Sequence, residues 1–145
     1  MNRRPARIAI VWAAAWVAGT LAFVLPSGAR LGQVFTSGYW LIFAAISGVV
    51  LLGSGIMVYW PILTWRLAGA PDESDLARGA IGAALGLVIV AALAVAAVAL
   101  SSPRSPNPAA VRQMFSDPGN YLYVGLCVAQ GLIVGLGVKW AAARP

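Results

Sequence analysis

The sequence predicts an all-α integral membrane protein with four transmembrane helices, and three observations lead there. The 145 residues are 61% hydrophobic and only 10% charged, with a mean hydropathy of +0.84. A soluble domain carries about 25% charged and about 45–50% apolar residues, so this chain lacks the polar groups to cover itself in water. Four apolar runs are long enough to cross a hydrocarbon core of about 30 Å, which takes roughly 20 helical residues. The four acids, Asp72, Glu73, Asp75 and Asp117, all fall between those runs.

The runs are 8–25, 39–60, 79–100 and 121–140. Only the last contains a charge, Lys139, close to its end. Helices are expected because the bilayer interior offers an unpaired backbone nothing to bond to. A transmembrane β-barrel would show short alternating segments, and these runs do not alternate. The first run has the look of a signal peptide, with Arg3, Arg4 and Arg7 ahead of it and Ser27-Gly28-Ala29 behind it. The run's length of 18 residues exceeds an ordinary signal-peptide core, so it is read as a retained helix.

Charge assigns the orientation. Arg3, Arg4, Arg7, Arg66, Arg78, Lys139 and Arg144 lie at one end of the predicted hairpins, and Arg30, Arg104 and Arg112 at the other. Seven against three, by the positive-inside rule, puts both termini and the middle loop in the cytoplasm. The net charge of +6 is therefore a topology signal. Ten cations scattered over five segments form no patch for nucleic acid. Tyr39 and Trp40, then Tyr59, Trp60 and Trp65, flank the second run, and Tyr121, Tyr123 and Trp140 flank the fourth. Amphipathic rings favour the headgroup level, so these are expected as interface anchors.

An internal repeat is visible. Gln33-Val34-Phe35-Thr36-Ser37-Gly38-Tyr39 resembles the stretch from Gln113 to Tyr121, and from each tyrosine onward Gly53 and Gly55 align with Gly135 and Gly137. The reading is one membrane domain over 1–145, a tandem duplication of a two-helix hairpin. The first repeat covers about 7–66, a cytoplasmic linker about 67–77, and the second repeat about 78–145. Both copies start on the same side, unlike the inverted repeats of many transporters. Arg30, Gln33, Arg112 and Gln113 sit at matching places in the outer loops, where they are candidates for contact with a partner or the outer leaflet.

Small residues recur at helix-face spacing. Gly82 and Gly86 form one GxxxG pair, Gly131 and Gly135 another. Such pairs let two backbones approach closely, which makes these four the candidate helix-packing residues. Gln130 joins them as the one amide near the middle of a span, expensive in lipid unless another helix bonds it. In the loop before the third run, Ser74 or Asp75 is placed to cap the following helix.

Absences bear on function. Without histidine there is no bis-histidine haem, and a single cysteine, Cys127, builds neither an internal disulfide nor a multi-cysteine metal site. No acid lies deep in a span, where a proton-coupled carrier keeps one, and no nucleotide-binding or hydrolase motif appears. The expectation is no catalytic residue, no cofactor and no metal: not an enzyme, but a non-catalytic accessory or structural subunit of a larger membrane complex. Its partners would be other membrane subunits or further copies of itself, together with the lipid bilayer. The alternatives are a small homo-oligomeric channel or carrier lined by Gln130, Ser47 and Ser54, and a lipid- or quinone-contacting anchor of a redox enzyme. Nine arginines to one lysine and abundant alanine suggest a bacterium of high GC content, and thus the cytoplasmic (inner) membrane.

Overall fold

The computed structural model describes residues 4–27, 38–101, 109, 116 and 118–143, and all regular structure among them is helical. The sequence-predicted loop residues Arg30, Gln33, Arg112 and Gln113 lie outside the described residues. The first span is α1 (Arg4–Val24), followed by a single tight turn, Leu25–Ser27. The second is α2 (Tyr39–Ser54), a wide π-helical turn (Gly55–Tyr59) and α3 (Trp60–Gly69) in unbroken succession. The third is α4 (Asp75–Ser101) and the fourth α5 (Pro118–Ala142). Four helices are thus long and apolar enough to cross a membrane.

Local chemistry sets the ends. Gly38 precedes α2 with φ of 75°, a left-handed conformation that L side chains resist, and its carbonyl accepts the Leu41 N–H at 3.0 Å. Ser74 caps α4: its Oγ accepts the Ala77 N–H at 3.1 Å, satisfying one of the donors left over at a helix start. Asp75 does not cap. It sits in the first turn, favourable for an acid at the positive end of the helix dipole.

The second span runs nine residues past the expected end at Trp60, to Gly69. Pro61, which lacks an N–H and whose ring crowds the preceding turn, would ordinarily kink or end the helix there. In place of a break, the helix widens over Gly55–Tyr59, and the Trp60 N–H bonds back five residues to the Gly55 carbonyl. Thr64 Oγ1 then donates to the Trp60 carbonyl at 2.6 Å.

Neighbouring spans run antiparallel. Along α4 and α5, Gly79 faces Leu136, Gly82 faces Gly131 and Gly86 faces Cys127. Along α1 and α5, Val11 faces Gly137, Gly19 faces Gln130 and Ala22 faces Gly125. The second span lies along α1, with Phe23 against Phe43 (ring centroids 5.2 Å apart) and Trp12 against Gly55. α5 is therefore the central helix, flanked by α1 and α4. One core cluster joins Ala15, Leu51, Tyr59, Leu63, Val134 and Val138; a second joins Phe23, Leu126 and Cys127.

The N-terminus of α1 and the C-terminus of α5 meet at one end, where an Arg7 Nη1 hydrogen is donated to the Ala143 carbonyl at 3.4 Å. In the connection between α3 and α4, Arg66 donates to both Glu73 oxygens, at 2.9–3.3 Å. That hydrogen bonding holds the Glu73 carboxyl below its usual pKa of 4.5. A lowered folded-state pKa stabilises the loop above the ordinary glutamate value, and the effect disappears as pH falls through the folded one. Amide exchange of residues 70–74 is expected to be unchanged from pH 8 to 6 after correction for intrinsic rate, and to speed up only below about pH 4.5.

Candidate functional site

Gln130, Ser47 and Trp16 meet in a polar knot between three helices, while Ser54 Oγ donates to the Val50 carbonyl of its own helix at 2.6 Å. Gln130 on α5 is wholly buried, and its Nε2 donates to the Ser47 carbonyl at 2.9 Å and to Ser47 Oγ at 3.0 Å. Ser47 Oγ in turn donates to the Trp16 carbonyl on α1 at 3.2 Å. The Trp16 indole N–H returns to α2 at the Ala44 carbonyl, 2.7 Å away. Side chains on helices lean toward the N-terminus, which carries Gln130 past Gly19. A methyl group at Gly19 would lie 2.7 Å from Gln130 Cγ and Nε2. Gln130 Oε1 has no partner.

Tyr59 forms the second polar crossing and departs from the anchor reading. It is wholly buried, and its hydroxyl donates to the Cys127 carbonyl on α5 at 2.7 Å. The extra residue of the π-turn and the ten helical residues beyond it move Tyr59 away from the span's end. Trp65, Tyr121 and Trp140 remain exposed, as anchors would be. Removing the Tyr59 hydroxyl by Tyr59→Phe is expected to cost about 1 kcal/mol, an ordinary value for a hydrogen bond in a membrane. Gln130→Leu is expected to cost no more than that, because the unpartnered Oε1 goes with the amide. Reversible unfolding in mixed micelles checks both, and a loss of several kcal/mol for either would refute the ranking.

The four candidate packing glycines all lie at the α4–α5 crossing. Side chains added at Gly82 or Gly131 would run into the opposite glycine's backbone carbonyl, and one at Gly135 into the Arg78 carbonyl. At Gly86 an added methyl meets the Cys127 carbonyl at 2.5 Å. The two GxxxG pairs thus face each other within one chain. Gly53, by contrast, faces open space, while Gly55 meets Trp12 and Gly137 meets Val11.

Arg78 is a residue that sequence reasoning placed in a loop. It sits in the first turn of α4 with its side chain wholly buried, and its Nη2 donates to Asp75 Oδ1 at 2.6 Å. Its Nε and Nη1 have no partner. The signal available in the sequence was the i, i+3 spacing of Asp75 and Arg78 immediately before an apolar run.

In chemical terms the arrangement holds helices together. Among the described residues no three His, Cys, Asp or Glu side chains gather as a metal site. Cys127 is buried and unpaired. An apolar groove of about 240 Å³ opens between α1 and α2, lined by Trp16, Val17, Leu21 and Trp40 among others. Thr20 also lines it, but its hydroxyl is turned to the Trp16 carbonyl at 2.8 Å. The chain matches no family model, no curated protein sequence and no solved structure. Function has to be argued from these residues.

Proposed function

We propose that the chain is a non-catalytic accessory or structural subunit of a larger membrane protein complex, in the cytoplasmic membrane of a bacterium, with both termini cytoplasmic. The observation that carries this reading is the internal engagement of the mid-membrane polar groups. Gln130, Ser47 and Tyr59 are buried against neighbouring helices, while α4 keeps Leu87, Val88 and Val95 exposed. A carrier or channel needs polar side chains on a wet surface, so burial of Gln130 and Ser47 weighs against that alternative. The groove between α1 and α2 is the feature that favours a lipid- or quinone-contacting role, which is compatible with a subunit.

Mild-detergent purification from the native membrane tests the proposal. A stoichiometric complex with larger subunits is expected, and a self-contained oligomer that conducts a solute on reconstitution would overturn it. The orientation rests on the charge count. Cytoplasmic reporters after Arg66 and at the C-terminus are expected to be active, and those near Arg30 or Asn107 silent; the opposite pattern reverses the topology. Tandem duplication rests on the aligned loop and glycine motifs, with surroundings that have diverged between Gly53 and Gly135. Superposing the first two spans on the last two should bring Gly53 onto Gly135, and an inverted axis or shifted register would end the claim.

A further inference from the structure

The charges at the end where the termini meet are segregated. The described acids there are Asp72 and Glu73 in the connection ahead of α4 and Asp75 in its first turn, and ion pairs tie Glu73 to Arg66 and Asp75 to Arg78. The α1–α5 flank carries Arg7 and Lys139. Arg7 is fixed there: its guanidinium lies 5.7 Å from the centroid of the Trp140 ring, and Nη1 holds the Ala143 carbonyl. Trp140 and its chain neighbour Lys139 are both exposed. One helical turn deeper come Ile10, three residues after Arg7 and exposed, and Leu136, four before Trp140, which packs one edge on Gly79 of α4 and leaves the rest of its side chain exposed.

From this we infer that the α1–α5 flank binds the headgroup of an anionic phospholipid, with Arg7 and Lys139 on the phosphate, Trp140 beside it and the acyl chains along Ile10 and Leu136. A guanidinium already held on an aromatic face loses little freedom on engaging a phosphate, and its remaining N–H donors suit a phosphodiester's paired oxygens. Cationic side chains at the membrane surface favour anionic over zwitterionic lipid, and indole favours the same level. The exposed apolar turn beneath the cations selects a lipid over a soluble phosphate, because only a lipid covers both.

Native mass spectrometry of the purified full chain, titrated with phosphatidylglycerol or phosphatidylcholine of the same acyl chains, tests this. Phosphatidylglycerol should be retained preferentially. Arg7→Gln combined with Lys139→Gln should weaken its binding about thirtyfold, and the exposed Lys139→Gln alone about fivefold. Arg66→Gln, at the same end but paired with Glu73, should leave it unchanged. Helix content by circular dichroism checks folding, and the single Lys139→Gln variant carries the test where the double variant is unfolded. Equal retention of the two lipids, or undiminished retention by Lys139→Gln, would overturn the site. Displacement of the lipid by millimolar inorganic phosphate would overturn the lipid assignment.

Discussion

Gly131→Leu and Gly82→Leu are each expected to separate α4 from α5 and leave the protein unable to hold its four-span fold. At this crossing the two backbones are in contact, with each glycine set against the other's carbonyl, so a side chain has nowhere to go but into a peptide group. Overpacking an ordinary core costs about 1–3 kcal/mol because side chains shift to absorb it. Backbone does not shift so easily, and the cost here should exceed that range. Gly135→Leu should behave alike, since its neighbour is the Arg78 carbonyl. Gly53→Leu is the control: it faces open space and should be tolerated within about 0.5 kcal/mol. Steric-trapping or thermal unfolding in micelles measures all four. A tolerated Gly131→Leu would mean that the α4–α5 contact is looser than described.

Arg78 and Asp75 are expected to give effects of opposite kind. Removing one member of a buried ion pair typically costs about 3–5 kcal/mol, because the surviving charge is stranded, whereas replacing a buried pair by apolar side chains of similar volume, which strands no charge, is often neutral or stabilising. Arg78 is wholly buried and Asp75 has 59% of its side chain exposed, so Asp75→Asn should fall at or below the low end of that range. Arg78→Met should be near neutral in stability, since it also removes the unpartnered Nε and Nη1. It also withdraws one of the cations on which the proposed cytoplasmic placement of the middle loop rests, so the reporter after Arg66 should be read in that variant. Unfolding free energies that show Arg78→Met as the more damaging change would contradict the reading of Arg78 as a poorly satisfied buried charge.

The four spans were legible because lipid demands long apolar runs, and no tertiary contact has to be known to see them. The facing glycines were legible as a spacing; their partner was not, because GxxxG fits a neighbouring subunit as well as the same chain. Gln130 was legible as an amide needing a bond, while Gly19, which makes room for it, carried no mark of its own. Tyr59 was misplaced because aromatic residues near a predicted span end look alike whether they anchor or pack. The π-turn ahead of Pro61, with Gly55 set against Trp12, leaves no mark in a hydropathy pattern. Arg78 was missed because a cation just outside an apolar window counts as loop until the neighbouring helix is seen to cover it.

The central claim is that the mid-membrane polar groups bind helix to helix and line no aqueous path, and thiol accessibility tests it most directly. In a Cys127→Ser background, Gln130→Cys, Ser47→Cys and the loop control Glu73→Cys are each treated in intact membranes, made permeable from the loop side, with a charged reagent that reacts only in water. The account predicts rapid labelling of Glu73→Cys and none of the other two. Labelling of Gln130→Cys and Ser47→Cys at rates comparable to the control would place both on a water-filled pathway and contradict the account.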